Sequence, residues 1–224
     1  MIRFNNYNQT FFKKSLIYFS NFTRKIFKGD RLKRISIKLD KLITKLAIKK
    51  KKKIIILDYG CGSMEISKKL QHNKYISKII GTDVFKYNYK KGKLSYISQN
   101  VFSKKKVKVD LIIIVDVLHH IGVEKCHLVL NKLSKVSKKI IIKDHFEYSY
   151  FSRQLLRFVD FYANYAYGVK IPNKYFDQKS WQDQIKKSKF KEKKIFKNFQ
   201  QHDGIFNFIL DKKYHFISVL ENEN

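Results

Sequence analysis

Two kinds of apolar pattern alternate along this 224-residue chain. Short, uninterrupted, β-branched runs predict buried strands, and stretches with apolar residues every third or fourth position predict the helices that cover them. The first strong run is Ile54-Ile55-Ile56-Leu57, which leads through Asp58-Tyr59-Gly60-Cys61-Gly62-Ser63 into a helical stretch at Glu65–Leu70. Residues 78–83 predict a second strand, 94–98 a weaker third, 110–116 a fourth and 139–144 a fifth, with 122–136 helical. Residues 181–187 predict another helix. Two closing strands near 192–199 and 215–220 predict an antiparallel pair, joined by a polar turn containing Asp203-Gly204. This alternation predicts an α/β fold: a Rossmann-like, seven-stranded, mostly parallel sheet with a C-terminal antiparallel pair. Helices are expected on both faces, because the fourth run is apolar at every position from Leu111 to Val115.

Upstream of the first strand, Leu32, Ile35, Leu39, Leu42 and Leu46 recur at steps of three and four. They predict an amphipathic helix over 31–48, capped by Asp30 and laid across the sheet. Phe11, Phe12, Leu16, Phe19 and Phe22 form a looser helical pattern. Residues 1–29 therefore read as a basic, aromatic extension to a domain spanning 30–224. For 1–27 two readings stand level: peripheral contact with the inner face of a membrane, or a helix packed on the domain.

Composition narrows the classes. The formal charge of +31 suggests nucleic acid, yet only six of the 49 basic residues are Arg. Arg is the side chain suited to bidentate phosphate and base contacts. Abundant Lys, Ile, Asn, Phe and Tyr with scarce Ala, Gly and Pro are what AT-rich bacterial codons impose, so most lysines read as solvated surface. The charge is uneven: residues 1–53 hold 17 Lys and Arg against Asp30 and Asp40. Two cysteines, Cys61 and Cys126, make neither a disulfide framework nor a metal cluster. No apolar stretch reaches transmembrane length and no secretory signal is evident, so a cytoplasmic protein is expected.

The first strand, its glycine turn and the following helix make a cradle for a nucleoside-bearing ligand. Glycine lets backbone approach a ligand closely, and free N–H groups at the helix start can donate. The spacing is Asp-x-Gly-x-Gly, unlike the Gly-x-Gly-x-x-Gly of dinucleotide sites. Asp83 ends the next strand and suits a ribose diol, Asn100 suits an adenine edge, and Asp116-Val117-Leu118-His119-His120 follows strand four. All four segments should meet at the carboxyl edge of the sheet.

In these segments the chain resembles the class I S-adenosylmethionine (SAM)-dependent methyltransferases, over about residues 30–221. The likeness rests on 57–63, on Ile80-Gly81-Thr82-Asp83, and on Asp110 through Ile121. It implies SAM as cofactor, held by Asp58, Gly60, Gly62, Asp83, Val84, Asn100, Val101, Asp116, Val117 and Leu118. Two positions depart from the family pattern: Met64 stands where a third glycine is usual, and Asn100 where an Asp is frequent. Met64 could narrow the cofactor pocket or only alter helix packing. Residues 141–145, 156–160, Asn164, 167–169, 172–175 and Trp181 look like a bacterial subgroup with no agreed substrate.

The acceptor is approached by exclusion. Amino-methylating nucleic-acid enzymes carry an Asn/Asp-Pro-Pro-aromatic motif where this chain has Asp116-Val117-Leu118-His119. Neither cysteine is placed for base-carbon methylation. What remains is an oxygen or a small-molecule nitrogen acceptor, and an oxygen of a small molecule, lipid precursor or glycan is the expected target. Methyl transfer to a hydroxyl needs alignment and a proton acceptor, and histidine suits neutral pH. His145 is the expected base, oriented by Asp144 or Asp160, with His119 as a further catalytic candidate. His120, Asp160, Asn164 and Tyr167 are the expected substrate contacts, and no metal is expected. The aromatic segment 146–176 is expected to form an acceptor-site lid, although such a stripe can equally be core. RNA methylation through the basic N-terminal region, or a non-catalytic binding protein of the same fold, are the competing readings.

Overall fold

The computed structural model describes residues 11–85, 89–104, 107–164, 168–202 and 204–222. Eight strands form one sheet: β1 (Ile54–Tyr59), β2 (Ile76–Thr82), β3 (Lys90–Lys91), β4 (Leu94–Tyr96), β5 (Leu111–Val115), β6 (Lys139–His145), β7 (Lys191–Phe196) and β8 (His215–Glu221). Their spatial order is β3-β4-β2-β1-β5-β6-β8-β7. β4, β2, β1, β5 and β6 run parallel, while β8 pairs antiparallel with both β6 and β7. The expected seven strands are all present, and the two-residue β3 adds a short antiparallel hairpin at the β4 edge.

Side chains of the central strands partition with period two, as a sheet covered on both faces requires. Ile54 and Ile56 of β1, Leu111 and Ile113 of β5 and Ile141 of β6 join one core with Leu32, Ile35, Leu39, Ile43 and Ala47. Leu57, Ile112, Ile114, Ile140 and Ile142 join the other, with Leu130, Leu133, Trp181 and Ile185. The first face is covered by α1 (Phe11–Lys50) and α2 (Glu65–Leu70), the second by α3 (Gln99–Lys104), α5 (Cys126–Leu133) and α7 (Gln178–Lys186). Trp181 is fully buried, and its indole N–H donates to Glu192 Oε1 at 2.9 Å, joining α7 to β7.

Two boundaries differ from the sequence expectation. Asp30 does not cap a helix, because α1 runs unbroken from Phe11 and passes through it. A helix with a strong apolar stripe docked on the sheet can extend beyond the stripe, since propagation adds a hydrogen bond per residue. The segment between β7 and β8 is not a simple polar turn. It contains α8 (Gly204–Ile209) and a short 3₁₀ turn over Lys212–Tyr214, where the Asp211 carboxylate accepts from the Lys213 N–H. Among the described residues, no helix is long and apolar enough to cross a membrane.

Between β1 and β5 the chain order reverses, since β2 lies on one side of β1 and β5 on the other. Their carboxyl ends therefore leave a crevice, the usual ligand position in an open α/β sheet. Roofing that crevice is α6 (Tyr150–Asn164), which packs against α1.

Candidate active site

The glycine loop is clamped to the end of β2. Gly60 and Cys61 donate to Thr82 O at 2.8 and 3.1 Å, and the Gly62 N–H donates to the Asp83 carboxylate at 2.8 Å. Gly60 has φ +75°, and a Cβ there would fall 2.4 Å from Val117 Cγ2. Only glycine lets this turn close against the β5 loop. Asp58 is buried beneath the turn and accepts from Ser67 Oγ at 2.5 Å. Burial, with Asp83 adding repulsion, raises its pKa to about 6. Burial also pushes the Cys61 thiol far up, which removes it as a nucleophile at neutral pH.

Met64 does not enter this cradle. It adopts the left-handed conformation (φ 60°) that a glycine would favour, and its side chain turns into the core against Gly81. Asn100 and Val101 lie exposed on α3 and do not border the cavity. Their neighbour Gln99 does: its amide donates to the Tyr59 hydroxyl at 3.2 Å. One helical residue separates neighbouring side chains by about 100°, so the segment was placed correctly and its facing residue was not.

A cavity of about 860 Å³ runs from this loop to the underside of α6. That volume lies in the range of roughly 300–1,000 Å³ common for small-molecule sites. Asp58, Gly60, Gly62, Asp83, Val84, Asp116 and Val117 border one part, and His120, His145, Asp160 and Asn164 another. Leu118 is fully buried behind the wall, with its N–H donating to Asp144 Oδ2 at 3.2 Å. Tyr167 lies outside the described residues. Two buried polar atoms that border the cavity, the Thr82 hydroxyl and His215 Nε2, have no hydrogen-bond partner among the described residues. Such orphaned groups fit a site completed by a polar ligand.

Asp116 closes β5 with φ 55°, strained for a residue with a side chain. Its carboxylate is hydrogen-bonded to the Lys143 ammonium and the Arg31 guanidinium, with His145 Nε2 at 3.1 Å. Burial opposes its ionisation, but Lys143, Arg31 and His145 together hold its pKa well below the usual range. Burial lowers the Lys143 pKa to about 8, with Asp116 opposing the shift. Burial and the Lys143 charge keep His145 neutral, and its Nδ1 lies 3.0 Å from His215 Nδ1. Neither Arg31 nor Lys143 was anticipated. A lysine directly after the Ile140-Ile141-Ile142 run, still within the strand, is a readable signal, because an unpaired charge is not tolerated in a doubly covered strand.

Asp144 and Asp160 do not orient the His145 ring. The Asp144 side chain leaves β6 on the opposite face, and its Oδ1 lies 2.5 Å from His119 Nδ1. Asp160, on α6, lies 3.4 Å from His119 Nε2 and accepts from the Tyr175 hydroxyl. His120 meets His119 Nε2 to Nε2 at 3.0 Å, and its Nδ1 donates to Lys170 O at 3.0 Å. Burial disfavours a charge on His119, but Asp144 and Asp160 outweigh it and raise its pKa to about 9. Residues 146–176 divide between core and cavity wall. Phe146, Tyr175 and Phe176 are core, while α6 presents Leu156, Val159, Asp160 and Asn164 to the cavity.

Comparison with known proteins gives a consistent picture. A family described as a methyltransferase domain matches residues 31–192. The fold is similar to that of the plantazolicin methyltransferase solved with SAH, the demethylated product of SAM, at 14% identity and TM-score 0.61 over 95% of this chain and 94% of that one. It is also similar to the Burkholderia thailandensis 1,6-didemethyltoxoflavin-N1-methyltransferase with S-adenosylhomocysteine, at 8% identity and TM-score 0.59, covering 99% and 94%. A third is the magnesium protoporphyrin IX methyltransferase of Synechocystis PCC 6803 with bound SAM, at 13% identity and TM-score 0.53, covering 97% and 87%. No curated sequence matches the chain.

Proposed function

The chain belongs to the methyltransferase-domain family, and from that premise we propose that it methylates a hydroxyl of a small-molecule, lipid-precursor or glycan acceptor, with SAM as the donor. The carrying observation is one continuous cavity that joins the Gly60–Gly62 cradle to a polar wall under α6. Bound SAM supplies an electrophilic methyl carbon on a sulfonium. The residues present fit that group. Asp83, fixed at the end of β2 by the Gly62 and Phe85 N–H groups, suits the ribose diol. Gln99, which borders the cavity where Asn100 does not, would offer a polar edge to the adenine, and buried Asp58 would supply a counter-charge to the amino-acid end. The unpartnered Thr82 hydroxyl lies on the same wall.

The other half of the cavity would hold the acceptor against His120, Asp160 and Asn164. His145 sits on the cavity wall between Asp116 and His215, where it would take the proton of an acceptor hydroxyl as that oxygen is methylated and the demethylated cofactor leaves. Asp116 then stabilises the imidazolium. A proton acceptor of this kind contributes about 10²–10⁴-fold in rate.

Titration calorimetry of the full chain with SAM and with SAH tests the reading. Both are expected to bind, with Asp83→Ala weakening each, and no heat at millimolar ligand would overturn it. Transfer of labelled methyl to a panel of hydroxylated acceptors then separates oxygen from nitrogen chemistry, with His145→Ala slowing turnover more than it changes SAM affinity.

A further inference from the structure

We propose that His119, His120 and Asp160 form a binding site for one divalent first-row transition ion at the floor of the acceptor half of the cavity. His119 Nε2, His120 Nε2 and an Asp160 carboxylate oxygen lie within 4.8 Å of one another. The two Nε2 atoms are 3.0 Å apart, and His119 Nε2 is 3.4 Å from Asp160 Oδ2. Bonds of about 2.0–2.2 Å to an ion between them would span such separations. Two imidazoles, with His119 releasing its proton as the ion binds, and one carboxylate are a donor set that zinc and non-haem iron both take, leaving positions open.

The outer contacts carry the argument further. A metal-bound histidine generally gives its other ring N–H to a carboxylate or a carbonyl, which fixes ring orientation and tautomer. Both histidines here do so: His119 Nδ1 faces Asp144 Oδ1 at 2.5 Å, and His120 Nδ1 faces Lys170 O at 3.0 Å. The carboxylate ligand is fixed as well, by the Tyr175 hydroxyl, and Asn164 lies 3.4 Å away. The ligands come from α4 (Leu118–Ile121), just after β5, and from α6, two elements well separated along the chain that the fold brings face to face.

The site opens where an acceptor would lie, because His120 and Asp160 border the cavity. The His145 ring is 5.4 Å from the His119 ring, centroid to centroid. An ion there would take an oxygen of the acceptor as a further ligand, favouring acceptors with vicinal or chelating oxygens, such as diols, catechols or hydroxy acids. This choice of acceptor rests on the oxygen-methylation reading, whereas the ion site itself does not.

Metal binding is tested on the full chain after chelator treatment, with Zn²⁺ in competition with a chromogenic chelator and Co²⁺ followed by its visible absorption. One equivalent of Zn²⁺ should bind and raise the melting temperature, and Co²⁺ should give the intense bands of a four- or five-coordinate site. His120→Asn and Asp160→Asn should each weaken binding at least 100-fold, and Asp144→Asn about 10–100-fold. His72→Ala, on the exposed surface, should change nothing. No stoichiometric binding by the wild type, or binding that His120→Asn and Asp160→Asn leave intact, overturns the site. Circular dichroism of each variant guards against unfolding, and Asp160→Glu, which keeps the ligand, should retain binding where Asp160→Asn loses it. SAM calorimetry on the metal-free chain separates the two ideas: SAM bound without any ion response rejects the site alone, and an ion bound without SAM rejects the methyltransferase reading alone.

Discussion

Met64 Cε lies where a side chain on Gly81 would begin: a Cβ there would be 2.9 Å from it, with Met64 Sδ at 3.0 Å. The methionine at the departure from the family's third glycine therefore plugs the underside of β2 and leaves the cofactor cavity alone. Met64→Gly relieves a left-handed backbone, a gain of about 1 kcal/mol, but empties a buried side-chain volume that costs about 2–5 kcal/mol. The expected result in urea unfolding is a net loss of about 2 kcal/mol. SAM affinity measured in the same preparation should stay within about twofold, because the side chain that is removed does not border the cavity.

Gly60 and Val117 form the opposite case, a contact inside the cradle. Gly60→Ala places a methyl 2.4 Å from Val117 Cγ2 in a backbone with φ +75°. Loop displacement follows, and SAM affinity should fall by at least tenfold with little change in secondary structure. Val117→Ala removes the two atoms closer than 3 Å and leaves only its Cβ at 3.2 Å, so the double variant should recover part of the affinity. The residual deficit reports the backbone strain together with the remaining tight contact to the Val117 Cβ. Equal affinities for the single and double variants would show that the collision is not what matters.

Asp58 supplies a pH signature. Its folded pKa of about 6 exceeds the unfolded value near 4. The unfolded chain therefore holds fewer protons than the folded chain between these values, and stability falls as pH rises through that window. Asp58→Asn keeps an acceptor for Ser67 and carries no charge. Without cofactor, its melting temperature should exceed that of the wild type at pH 7 and fall to or below it at pH 4. If Asp58 faces the ammonium of SAM, the same variant should bind SAM about tenfold more weakly, a stability gain set against a binding loss.

Much of this was legible along the chain because it depends on local pattern. The isoleucine runs at 54–56, 112–114 and 140–142 could be nothing but covered strands, and Asp58-x-Gly60-x-Gly62 could turn only in one way. Asp83 and Asp116 followed as strand-terminal acids, since strand ends are set by the same pattern. The misplacements have equally definite causes. Gln99, not Asn100, faces the cavity, and a helix of only six residues has too little apolar periodicity to reveal its facing side from sequence. The start of α1 was set at Asp30 because capping residues mark possible boundaries, not obligatory ones.

The sequence alone determined the order of strands and helices, the two-faced core and the carboxyl-edge cradle, because periods of 2 and 3.6 residues and glycine's freedom act within a few neighbours. Only the tertiary structure decided which charges meet. Asp116 is shared by Arg31 from α1 and Lys143 from β6, while Asp144 turns to His119 and leaves His145 to Asp116. Those partnerships span up to 85 residues of chain, and side chains at successive strand positions point to opposite faces. No linear spacing encodes them; they exist because β5, β6 and α6 converge on one end of the sheet.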